Sequence, residues 1–187
     1  MATQEEANYT KLVLLLTKPC RNLMAKVLQK SVHENYDQSV DTFVNINRSR
    51  IEKTPHGKLN YDRYFPRQGV TNVNEWDISM LHFVITFCPV PSISTDLRNI
   101  KNLRNALAHP GKVLISSRDY RPYHKEIQNF IKGGLKYLCD PISTKKISED
   151  VSRINEMIIS KDTVDLLRDA FALYMGHFEE KIQGKNL

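Results

Sequence analysis

Apolar residues recur along this chain at three- and four-residue steps almost from end to end, the period of amphipathic helices. Positions 9–16 are densely apolar, and Pro19 falls where a second helix can begin, since proline is tolerated in a first turn. That second helix runs to about Lys30 on Leu23, Val27 and Leu28, and a third runs from Val40 to about Ile51 on Phe43, Val44 and Ile51. "KTPHGKLNYDRYFPRQG" (53–69) reads as a long connection with a short turn at "NYDRYF". The most apolar stretch, 74–91, reads as a helix with Asn74 as N-cap and Met80, Leu81, Val84, Ile85 and Cys88 at helical spacing. "FVITF" has the composition of a buried strand, but no second strong strand exists to pair with it.

Further helices are expected from Ser94 to His109 and from Tyr120 to Leu138, the latter weakened by Gly133 and Gly134. The residue before Pro110 is biased out of the helical region, which ends the first of these at His109. "DPISTKK" (140–146) is the expected internal boundary. Beyond it lie a helix on Ile147, Val151, Ile154 and Ile158, and a last one capped by Ser160. In that last helix Val164, Leu167, Phe171, Tyr174, Phe178 and Ile182 make a stripe. The stripe is expected to fold back on the bundle, although its near-heptad spacing also suits a seam with another chain. The pattern predicts an all-α fold, an antiparallel bundle of about five to seven helices. Residues 1–140 form its body, and 141–187 form a two-helix extension packed on it.

Composition narrows the class. The 187 residues are 41% hydrophobic and 26% charged, ordinary for a globular chain long enough to bury a core. No apolar run reaches spanning length, and the acidic N-terminus lacks the basic region of a secretory signal. Cys20, Cys88 and Cys139 are few and widely spaced, as in reduced thiols. A cytoplasmic protein without membrane association is therefore expected. His33, His56, His82, His124 and His177 show no HxxxH or HExxH spacing, there is no glycine-rich phosphate loop, and neither metal nor cofactor is expected.

Charge changes the picture more. The net charge is +6, but residues 97–137 hold nine basic and two acidic side chains. That stretch carries +7 while the remainder carries −1. Such a local field attracts polyanions such as nucleic acid. A solvated helix face with its acidic partners elsewhere in the fold explains the same numbers.

Within this stretch stands "LRNALAHPG" (103–111). At 100° per residue with Leu97 at 0°, Ile100, Leu103 and Leu107 fall at about 300°, 240° and 280°. Arg104 falls at about 340°, inside the apolar stripe. A guanidinium there must meet a carboxylate, stretch along the surface, or face a polar cleft. His109, at the fraying end, either caps the last carbonyls or turns back toward Arg104, with Asn105 one turn earlier to hold the ring.

Arg104, Asn105 and His109 match the arginine–polar–histidine signature of the HEPN superfamily (higher eukaryotes and prokaryotes nucleotide-binding), with four intervening residues. "NYTKLVLLL", "YDRYFP", "EWDISMLHFVI" and "DLRNIKNLRNALAH" follow in an order that resembles the HEPN branch of animal proteins of the DAZ-interacting ubiquitin-ligase type. The resemblance covers about residues 8–140. It implies a helical bundle that dimerises and brings two arginine–histidine pairs into one cleft. It further implies either a metal-independent endoribonuclease or a non-catalytic module that assembles partners in immune or ubiquitin signalling. An RNA binder without cleavage is the third possibility.

The residue chemistry suits cleavage: histidine titrates near neutrality and serves as base or acid, and arginine grips phosphate oxygens with two parallel bonds. The expected catalytic residues are Arg104, Asn105 and His109. Lys101, Lys112, Arg118 and Arg121 are the expected RNA contacts.

Overall fold

The computed structural model describes residues 1–108 and 114–170, and their regular structure is helical with no strand among them. The all-α bundle expected from the periodicity is present.

Helix α1 (Gln4–Leu15) begins earlier than its apolar run suggests. Thr3 accepts from the Glu6 backbone N–H while the Glu6 carboxylate accepts from Thr3 N–H, a reciprocal cap that starts the helix on acidic residues. Pro19 does not open a new helix. It sits in a π-helical turn, Leu16–Cys20, that carries α1 without a break into α2 (Arg21–Tyr36). The wider π-turn accommodates the N–H that proline lacks, and Arg21 N–H reaches back to Leu16 and Lys18 carbonyls. The result is one rod from residue 4 to 36. It ends not at Lys30 but where Asp37 turns left-handed at φ 50°.

The expected third helix is two, α3 (Val40–Ile46) and α4 (Arg48–Ile51), and the 53–69 connection contains α5 (Pro55–Leu59) and α6 (Tyr61–Tyr64). Helix α7 (Ile78–Ile85) is capped by Asp77, whose Oδ1 accepts from Ser79 and Met80 N–H at 2.7 and 3.0 Å. Asn74 lies instead in a short 3₁₀ turn, so the cap stands three residues later than the sequence suggests. Then follow α8 (Ser94–Ala108), α9 (Ser117–Leu138), α10 (Pro141–Glu156) and a helix across 161–170, α11, capped by Ser160. Residues 140–146 are not a loose linker: Cys139 turns left-handed and Asp140 caps α10 at once. Because α10 stops at Glu156, Ile158 leaves the apolar stripe and stands 85% exposed.

Long contacts fix the directions. Asn8 Nδ2 donates to Ile115 O (3.0 Å) at the start of α9, and Lys30 Nζ donates to Leu138 O (2.9 Å) at its end. So α9 runs alongside the rod in the same sense. Helices α8 and α10 run the other way, with Leu107 O accepting from Tyr9 Oη at 3.3 Å and Asn155 O accepting from Lys11 Nζ at 2.6 Å. Gly134 lets Leu23 of α2 press against α9: a Cβ there would lie 2.7 Å from Leu23 Cδ2. Leu12, Leu15, Leu23 and Leu28 of the rod, Met80 and Leu81 of α7, Ile100 of α8, Phe130 of α9 and Ile147 and Ile154 of α10 share one continuous core. No described helix is long and apolar enough to cross a membrane.

Candidate functional site at the end of α8

Helix α8 places the expected site by its stripe. Leu97, Ile100, Leu103 and Leu107 are all buried, as their spacing requires. Arg104, within that stripe, is half-buried and lines a cavity of about 300 Å³. Val13, Leu16 and Thr17 of the rod, Ile78 of α7, and Leu167 and Ala170 of α11 wall the cavity. Arg21 and Asp77 are its other charged residues. The inward arginine thus borders a cleft whose walls are chiefly apolar.

Arg104 Nη1 donates to Asn105 Oδ1 at 3.3 Å. The Asn105 oxygen thus holds the guanidinium, and the expected contact of its amide with the His109 ring lies outside the described residues. Asp77 has two structural roles, capping α7 through Oδ1 and meeting Arg63 Nη1 at 3.2 Å through Oδ2. Arg21 donates to Asn74 O and to Asn22 Oδ1.

His109 and Lys112 lie outside the described residues. Both flanks of that stretch are tied to α1. Leu107 O accepts from Tyr9, Ile115 O accepts from Asn8, and Ile115 N–H donates to Glu5 O at 3.2 Å. Lys101 is half-buried one turn before Arg104 on α8, whereas Arg118 and Arg121 are exposed on α9 and take no part in the cavity. The structure therefore brings together Arg104 and Asn105, with Lys101 adjacent, and separates the α9 arginines from them.

Two histidines that no local signal marked lie close to this basic side of α8. Burial pushes His56 below the ordinary imidazole range; the nearby Asp77 opposes that shift, while Lys101, Arg104 and Arg63 add to it. Burial, then Lys101, Arg98 and His56, pushes His82 down to about 4, so it is neutral at pH 7. Tyr64 Oη donates to Met80 O at 3.2 Å and lies 3.0 Å from His56 Nε2. Both bonds hold at once only with the imidazole proton on Nε2. His56 comes from the 53–69 connection, almost fifty residues before Arg104, so no spacing in the sequence reveals the approach. Among the described residues no three His, Cys, Asp or Glu side chains gather as a metal-ligand group.

Comparison with known proteins finds no match: no family model, no curated protein and no solved structure matches the chain.

Proposed function

We propose that the chain is a HEPN-type endoribonuclease that acts as a homodimer and cleaves RNA without a metal ion. The observation that carries this reading is the placement of Arg104: an arginine drawn into a cleft, steadied by Asn105, five residues before a histidine. In this reading the imidazole of His109 takes the proton of a ribose 2′-hydroxyl. The 2′-oxygen then bonds to phosphorus as the bond from phosphorus to the 5′-oxygen breaks, and a second histidine, from the other protomer, protonates that leaving oxygen. The products are a 2′,3′-cyclic phosphate and a 5′-hydroxyl, and DNA, lacking the 2′-hydroxyl, is spared. Arg104 holds the phosphate oxygens as charge builds on them, which lysine does less well because it lacks the planar fork. Lys101, Lys112, Arg118 and Arg121 hold the RNA.

The apolar walls of the cavity favour a second reading, a non-catalytic module that receives an apolar side chain of a partner in immune or ubiquitin signalling. Incubation of varied single-stranded RNAs in EDTA decides. Loss of the base typically lowers such a rate by about 10²–10⁴-fold. His109→Ala is therefore expected to abolish cleavage, and Arg104→Lys to weaken it, with unchanged thermal melts. A wild-type protein that cuts none of the RNAs hands the site to the assembly reading.

A further inference from the structure

The exposed face of α9 carries a ridge of cations. Arg118, Arg121, Lys125, Lys132 and Lys136 are all exposed. At 100° per residue with Arg118 at 0°, they fall between about 300° and 0°, an arc of roughly 60°. The eighteen residue steps from first to last span about 27 Å along the axis. Gln128 and Asn129, also exposed, lie at about 280° and 20°, so the arc holds only cations and amides. Among the described residues no acid forms an ion pair with any of the five.

The acids near α9 keep to one flank. Asp119 and Glu126 fall at about 100° and 80°, and Tyr137, which donates to Glu34, falls at about 100°. Asp96 of α8 approaches the helix at Gly133, near 60°. The buried Ile127, Phe130, Ile131 and Leu138 occupy the opposite side. The ridge shares no residue with the Arg104 cavity.

We infer that this ridge docks the phosphate backbone of double-stranded RNA. Charge complementarity selects a linear polyanion, and three features narrow it. A membrane-surface helix needs an exposed apolar face, and that of α9 is spent in the core. Single strands are held largely by stacking on aromatic side chains. The tyrosines of α9 are turned away: Tyr120 stacks on His124 with centroids 5.3 Å apart, Tyr123 packs against the core, and Tyr137 bonds Glu34. Last, a row of cations and amides with no stacking ring beside it suits double-stranded RNA, which is held through its backbone and shape rather than through its bases. This inference rests on the proposed action on RNA for the choice of nucleic acid, and it places Arg118 and Arg121, two of the expected RNA contacts, in a duplex-binding surface outside the Arg104 cavity.

The test is fluorescence anisotropy with a short blunt RNA duplex, on protein carrying His109→Ala so that nothing is cut. Five phosphate contacts predict that log affinity falls with log salt at a slope of about −4 to −5. Lys125→Gln, Lys132→Gln and Lys136→Gln together are expected to flatten the slope by about 3 and to weaken binding at least tenfold at physiological salt. The melt should stay unchanged. An unaltered slope in the triple variant overturns the inference. So does an equal loss of affinity in the triple variant for a single-stranded RNA, for the same duplex in DNA, or for vesicles of anionic lipid. Failure of the cleavage reading shows separately, as a wild-type protein that binds the duplex through the ridge and cuts no RNA.

Discussion

Helices α8 and α9 take their charge from one basic stretch of sequence and use it in opposite ways. In α8, cations and packing share a side: Arg104 lines a mostly apolar cavity, and Lys101 helps keep His56 and His82 neutral. In α9, the cations stand on one side and the core on the other. A charge excess read along a chain therefore says nothing about its solvent. Among the described residues of the +7 stretch, the fold leaves Lys101 and Arg104 half-buried beside groups they perturb, and leaves the α9 cations exposed to what lies outside. Changes in α9 should separate stability from binding, and changes around α8 should not.

The largest expected effect tests the inner side of α9. Phe130 is fully buried, so Phe130→Ala should cost about 3–5 kcal/mol in urea unfolding. The salt slope of duplex binding by the molecules that remain folded should not change. Next comes the α8 side, where charge has a structural part. Asp77→Ala removes a helix cap and the Arg63 contact, and is expected to cost about 0.5–2 kcal/mol.

The third expectation concerns pH. Burial and the cations of α8 hold the pKa of the folded His82 at about 4, below the ordinary imidazole value of 6.5, so the folded state binds fewer protons. Its contribution to stability is full above about 6.5 and is lost as pH falls toward 4. Lys101→Met removes one cause of the depression, and an NMR titration of His82 should then move upward. A titration that does not move breaks the claim that α8 cations act on their neighbours. Smallest of all, Gln at Arg118, Lys125 or Lys132 singly should change unfolding stability by no more than about 0.5 kcal/mol. A larger loss would mean that the outer side of α9 is not merely solvated.

What could be read beforehand divides along the same lines. The buried stripe of α8, the inward arginine within it and the Ser160 cap follow from local spacing. Pro19 misled because a π-turn, invisible in residue pattern, lets the rod pass through it. Asn74 misled because Asp77, three residues on, is the better cap for the apolar run. Gly133 and Gly134 read as weak points, yet Gly134 lets Leu23 of α2 approach α9. The approach of His56 and His82 to α8, and the sorting of the cations into two environments, depend on helices far apart in sequence. The roles given to His109 and Lys112, and to Phe171, Tyr174, Phe178 and Ile182, fall on residues outside those described.

One short stretch, residues 1–11, is a fastening point for distant parts of the protein. Glu5 and Asn8 hold Ile115, Tyr9 holds Leu107, Lys11 holds Asn155, and the Glu6 carboxylate pairs with Lys161 at the start of α11. A break within this stretch would therefore unfasten the end of α8, the start of α9, the end of α10 and the start of α11 together. For anyone producing the protein, a cut or deletion within residues 5–11 is the change most apt to yield inclusion bodies.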